Sequence, residues 1–158
     1  MQEITFAKGN EQHLNDCRDA LSQSTLGEKY FSLPGSAENA ILEGIRQGNL
    51  YVALIGEECV GFTYIIPKGA FHGFPYLHII AIKEEYRGLG VGKALLDYSE
   101  SIASEMADKL FLVVADFNPV GEECFGLFRK IDRKYQPRPK AYGLQKVYGG
   151  KGDLSVNC

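Results

Sequence analysis

No run in this chain approaches the about 18 consecutive apolar residues that a membrane-crossing helix needs, so a spanning segment is not expected. The opening stretch, MQEITFAKGNEQ, places charged and polar residues where a signal peptide would have an apolar core, and the expected location is the cytoplasm. The four cysteines, Cys17, Cys59, Cys124 and Cys158, include no CxxC pair, and no histidine stands at zinc-ligand spacing from them. No metal site is expected, and the thiols are read as reduced. A chain of 158 residues buries enough surface to hold a core without disulfides or metal. Repeats, low-complexity tracts and long Pro/Gly/Ser linkers are also missing, which predicts a single domain over residues 1–158. An excess of positive charge is missing as well: the net charge is -3, so nucleic acid is not an expected partner through bulk charge. Its distribution is uneven, with eight Lys or Arg against the single Asp132 between Arg129 and Lys151. That stretch is read as a solvated basic face, with contact to a ligand phosphate or to an acidic partner such as RNA or a ribosomal surface as the alternative.

What is present is a succession of short periodic segments. Ile4 to Ala7 suits a strand, and Asn10 is placed to cap a helix whose Leu14, Cys17 and Leu21 share one face. Pro34-Gly35-Ser36 breaks the chain before a second helix that turns Ile41, Leu42 and Ile45 inward and stops at Gly48. The segments 51–55 and 60–66, joined by Gly56 to Cys59, read as a hairpin. After a loop from Lys68 to Pro75, the almost wholly apolar 77–82 predicts a central strand covered on both faces. Val91, Ala94, Leu95, Tyr98, Ile102 and Met106 then recur at helical spacing as one buried stripe. A further buried strand at 110–115, a helix over 121–130 and a tail of loop and edge strand complete the order. Hairpin and βαβ crossover together predict an α/β (α+β) fold with a sheet of mixed direction.

The chemistry-bearing segment is Arg87-Gly88-Leu89-Gly90-Val91-Gly92-Lys93, between a buried strand and an amphipathic helix. Alternate glycines let the backbone approach a ligand closely, and the helix that follows offers free N–H groups and a positive dipole end to a phosphate. A P-loop would require glycine at 87 and Ser or Thr at 94, where Arg87 and Ala94 stand. A dinucleotide fingerprint would require glycine at 93, where Lys93 stands.

The pattern instead resembles the pyrophosphate loop of the GNAT acetyltransferase superfamily, Arg/Gln-x-x-Gly-x-Gly/Ala. The likeness is carried by residues 76–106, and the order of elements over 1–118 agrees with it. It implies a mixed, mostly antiparallel central sheet flanked by helices, with acetyl-CoA as co-substrate in a cleft where two parallel strands splay apart. By the same resemblance, Ile80, Ala81, Ile82, Arg87, Gly88, Leu89, Gly90, Val91, Gly92 and Lys93 line the cofactor path. Asn118 matches an asparagine that touches the pantetheine arm.

Acetyl transfer to an amine requires a base, an oxyanion site and an exit for the thiolate. Backbone N–H groups can serve the oxyanion, each well-placed donor contributing about 2.7–4 kcal/mol. His78 falls where many family members carry a glutamate, and imidazole titrates in the useful range. His13 and His72 are weaker candidates. The sequence departs from the family at the general acid, because Phe128 occupies the usual tyrosine position and phenylalanine has no proton to give. Cys124, Tyr135 or Tyr142 are the alternatives, as is departure of the thiolate unaided. Tyr30, Phe31, Phe71, Phe74 and Tyr76 are candidates for lining an acceptor site.

The reading is a direct N-acetyltransferase acting on a primary amine of a small molecule or peptide, without metal. A CoA-binding regulatory or non-catalytic module of the same fold is the alternative. A homodimer is the assembly that analogy with relatives suggests.

Overall fold

The computed structural model describes residues 2–70, 73–107, 110–115 and 144–147. Strand β1 (Ile4–Lys8) leads into a single 3-10 turn, Glu11–His13. Asn10 caps it as expected: its side-chain oxygen accepts from Gln12 N at 2.9 Å, and its own N–H donates to His13 Nδ1 at 3.2 Å. This reciprocal cap satisfies two otherwise unpaired backbone donors and starts α1 (Leu14–Ser22), which buries Cys17, Ala20 and Leu21.

Helix α2 (Thr25–Tyr30) is absent from the sequence reading, which had two helices here instead of three. Its six residues are too few to show a period, and Gly27 interrupts them. The glycine is required by packing: a Cβ at Gly27 would lie 2.0 Å from the carbonyl oxygen of Leu21, so α2 starts in backbone contact with the end of α1. Helix α3 (Ser36–Arg46) buries Ile41 fully and Leu42 and Ile45 in part. It ends where the sequence places its stop, with Gly48 at φ 70°.

Strands β2 (Leu50–Ile55), β3 (Glu58–Ala70) and β4 (Phe74–Ile82) join β1 in an antiparallel sheet of order β1-β2-β3-β4. Both hairpins are tighter than expected. Only Gly56 and Glu57 separate β2 from β3, and much of the expected loop from Lys68 to Pro75 is strand. The register of β3 on β4 breaks between Ile66 and Ala70, around Pro67, which has no N–H to donate to the ladder.

Side chains alternate between two buried layers. Val60, Ile65, Leu77, Ile80 and Ile82 pack with helix α4 (Val91–Met106) on one face. Leu50, Val52, Phe62, Tyr64 and Ile79 pack with α1, α2 and α3 on the other. The expected α4 stripe holds at Val91, Leu95 and Ile102, while Leu96, Ser99 and Ala103 are also buried. Met106 departs from it: it stands 45% exposed at the final residue of the helix.

Strand β5 (Leu112–Ala115) pairs in parallel with β6 (Leu144–Val147), so the tail supplies a strand as expected. Between β4 and β5 the described residues contain one bridge, the parallel pair Tyr76–Phe111. Leu77 N donates to Phe111 O at 2.8 Å and Phe111 N to Pro75 O at 2.9 Å. β4 is covered on both faces, as its apolar run predicts, but the described part of β5 meets it along its free edge only here. The two strands therefore form the splayed parallel pair. The helix expected over 121–130 lies outside the described residues.

Candidate active site

Gly90, at the N-cap of α4, has a φ of 87°; Gly88 before it has a φ of 77°. Both lie in the left-handed region that residues with a Cβ rarely adopt. Among the described residues, a Cβ built on either would meet nothing within 4 Å, so the loop turns away from them. No side chain caps the helix, and its first internal bond is Ala94 N to Gly90 O at 3.0 Å. The N–H groups of Val91 and Gly92 therefore have no partner within the helix. Buried Val91 packs this first turn into the same cluster as Ile82, while Leu89 stands 61% exposed at the tip. An uncapped first turn beside two left-handed glycines fits the phosphates of a CoA-type ligand.

The ladder of β3 on β4 determines where the backbone of β4 points. Lys83 N donates to Val60 O at 2.9 Å, which makes 60 and 83 a hydrogen-bonded pair. Bonded and non-bonded pairs alternate in an antiparallel ladder. In the observed register Ala81 opposite Phe62 and Ile79 opposite Tyr64 are then bonded, and Ile80 and Ile82 are not. Ile80 and Ile82 turn their backbone groups away from β3, toward the side on which β5 diverges. Ala81, also expected on the cofactor path, turns its backbone into the β3 ladder.

His78 sits at a bulge. Tyr64 faces Ile79 and the next residue, Ile65, faces Leu77, leaving His78 as the extra residue on β4. Its half-buried ring meets Tyr64 edge-on at 5.2 Å and lies tilted against Tyr76 at 6.1 Å. Tyr64 belongs to the layer under α1–α3, so the imidazole stands on the opposite face from α4. His13 is engaged as a helix cap. Among the proposed acceptor aromatics, Tyr30 and Phe31 are half-buried against the α1–α3 core, and Phe74 packs on Phe111 at 5.6 Å. Asn118, Cys124, Phe128, Tyr135, Tyr142, Phe71, His72 and the basic stretch, except the backbone of β6, lie outside the described residues.

Arg87 braces the loop from below: its Nε donates to Ile82 O at 3.2 Å and its Nη2 to Gln23 O at 2.9 Å. Lys93 is ion-paired with Asp97 one turn on, at 2.9 Å. Next to Ile82, Lys83 is nearly buried and clasps Asp16 at 2.8 Å and Glu58 at 3.1 Å. Burial alone would lower its pKa, but the hydrogen bonds to the two carboxylates outweigh it and the pKa is raised. The Tyr86 hydroxyl donates to Glu58 at 2.7 Å; this bond, then the one from Lys83, holds the Glu58 carboxyl below its ordinary range. Under α1, Cys59 Sγ donates to Gly61 O at 3.6 Å, and the neighbouring Cys59 thiol, with burial, pushes the Cys17 thiol up. Sequence reading passed over Gln23, Tyr64 and Lys83, since each acts on a partner distant in the chain.

Several solved structures share this fold. A transcriptional regulator from Bacillus halodurans is 21% identical with a TM-score of 0.64, the match covering 90% of this chain and 99% of that one. Ard1 from Thermoplasma volcanium is 22% identical with a TM-score of 0.63 and 80% of each chain covered. AAC(6′)-Iy in complex with the bisubstrate analogue CoA-S-monomethyl-acetylneamine is 16% identical with a TM-score of 0.60, over 89% of this chain and 97% of that one. No curated protein matches the sequence. The model of the acetyltransferase (GNAT) family matches residues 14–125, a span that contains the splayed strand, the bulge and the glycine loop, and the chain therefore belongs to the GNAT acetyltransferase family.

Proposed function

We propose that the chain is a single-domain, cytoplasmic N-acetyltransferase that takes acetyl-CoA and acetylates a primary amine of a small molecule or peptide directly. The observation that carries this reading is the glycine loop opening into the uncapped turn of α4 beside the diverging edge of β4. Backbone N–H groups of the first turn of α4, at Val91, Gly92 and Lys93, receive the pyrophosphate, with Gly88 and Gly90 supplying the close approach. Ile80 and Ile82 offer backbone groups along the opened edge, and Asn118 is assigned to the pantetheine arm on the family resemblance. Bound acetyl-CoA supplies an electrophilic thioester carbonyl. The backbone N–H of Ile80 is the proposed oxyanion donor.

His78 is proposed as the base that removes a proton from the acceptor amine, directly or through one water. The bulge supports this role, because it releases the imidazole from the regular alternation of β4 next to the point where β4 and β5 part. Cys124 is carried as the candidate proton donor to the thiolate. The bisubstrate complex of AAC(6′)-Iy, which joins CoA to an acetylated amine, supports a small-molecule amine as the acceptor.

Calorimetric titration with CoA and acetyl-CoA tests the reading, repeated on Gly90→Val, followed by a panel of polyamines, aminoglycosides and peptide N-termini. Binding that Gly90→Val abolishes, with turnover of at least one amine, is the expected result. Binding without transfer to any amine would favour the non-catalytic module. A wild-type protein that binds neither ligand would overturn the cofactor reading.

A further inference from the structure

We propose that Gln23 is a positioning residue that presets the glycine loop from the corner between α1 and α2; this rests on the reading of that loop as the cofactor cradle. Two contacts converge on it from the chain segment that enters the loop. Its side-chain oxygen accepts the N–H of Glu84 at 2.9 Å, and its main-chain carbonyl accepts Arg87 Nη2 at 2.9 Å. Glu84 opens the 3-10 turn after β4 and Arg87 closes it, so Gln23 holds both ends of the segment that delivers Gly88 and Gly90. Arg87 also reaches back to Ile82 O, which joins the corner, the opened end of β4 and the loop through one guanidinium.

The corner is built to hold such a partner still. Gln23 N donates to Asp19 O at 3.1 Å and closes α1. The next residue, Ser24, is buried and caps α2 by accepting Gly27 N at 2.9 Å. Gly27 then lies against Leu21 with no room for a Cβ. With helices fastened on both sides of it, the Gln23 backbone has little freedom, and its carbonyl presents a fixed acceptor to Arg87. Left-handed glycines are costly to order on binding because their backbone is free in the absence of restraint. A loop restrained beforehand binds without that loss.

Gln23→Leu keeps the bulk and removes the side-chain acceptor, and Gln23→Glu restores an acceptor oxygen at the same reach. Amide hydrogen exchange over Glu84 to Val91 is read on the ligand-free protein, and the Kd for CoA by calorimetry. In Gln23→Leu, exchange of these amides is expected to accelerate and the Kd to rise, each about tenfold, as for loss of one net hydrogen bond. Gln23→Glu is expected to stay within about threefold of wild type on the same scale, and exchange in the sheet core is expected to be unchanged in both. Wild-type exchange at Glu84 and a wild-type Kd in Gln23→Leu would overturn the proposal, as would equal losses in both variants. Because exchange is read without ligand, it judges the hold of Gln23 on the loop separately from CoA binding, whose absence in the wild-type protein would overturn the cofactor reading.

Discussion

The middle of β4 and its C-terminal end are held by different means. At its C-terminal end, Lys83, the 3-10 turn and Arg87 are fixed by charged and main-chain hydrogen bonds reaching Asp16, Gln23, Glu58 and Ile82. At the bulge, His78 is bordered by the rings of Tyr64 and Tyr76. The loop end is a backbone device, in which shape matters more than side-chain identity. The bulge is a side-chain device, in which a single imidazole carries the proposed chemistry. Substitutions that alter backbone freedom should therefore act at the loop, and substitutions that alter functional groups should act at the bulge.

Gly90→Val should produce the largest effect. A β-branched residue at φ 87° strains the entry to α4, and CoA affinity measured by calorimetry is expected to fall about a hundredfold or more, at least about 2.8 kcal/mol. His78→Ala sharpens the contrast from the bulge: kcat for the identified amine should drop about 10²–10⁴-fold, while the Kd for CoA stays at its wild-type value. An equal loss of CoA affinity in His78→Ala would erase the division between the bulge and the loop. Tyr64→Leu should act more weakly. It removes the edge-on ring and the hydroxyl that donates to Gln47 at 3.3 Å, and a loss of about 1–3 kcal/mol in urea-unfolding stability is expected.

Glu58→Gln tests the clasp and should have the smallest effect at neutral pH. Because the Glu58 carboxyl is held below its ordinary range by Tyr86 and Lys83, its contribution is present above the unfolded pKa and disappears as pH falls through the folded pKa. Unfolding midpoints measured from pH 7 to pH 3 should therefore decline less steeply in Glu58→Gln than in wild type. Lys83, with its pKa raised, keeps its contribution below its unfolded pKa and loses it only as the pH climbs through the higher folded value, so the acid-side difference belongs to Glu58.

How much of this was readable from the sequence follows the range of each interaction. Asn10, Gly48 and the glycine loop act within a few residues, and their chemistry marks them directly. The first hairpin and α4 carry enough period to be located. The bulge at His78 is invisible in a run as apolar as LHIIAI, since a two-residue period has no polar positions to mark a slip. Helix α2 is masked by the glycine that its packing on Leu21 demands. Strand β3 runs past Pro67, where the residue type argues for an end, because the ladder yields at that point instead of the strand. The hold of Gln23 on Glu84 spans a separation that no local pattern records.

The buried free thiols of Cys17 and Cys59 give the molecule an internal timer. Both sulfurs are sealed between α1 and the sheet, at 0% and 1% exposure, so a thiol reagent can reach them only when that helix lifts. In a chain whose Cys124 and Cys158 are replaced by serine, the labelling rate divided by that of an unfolded peptide thiol gives the opening constant of α1. The same helix ends at the corner that grips the glycine loop, and a slower labelling rate with CoA present would report, in seconds or hours, how tightly the two regions move together.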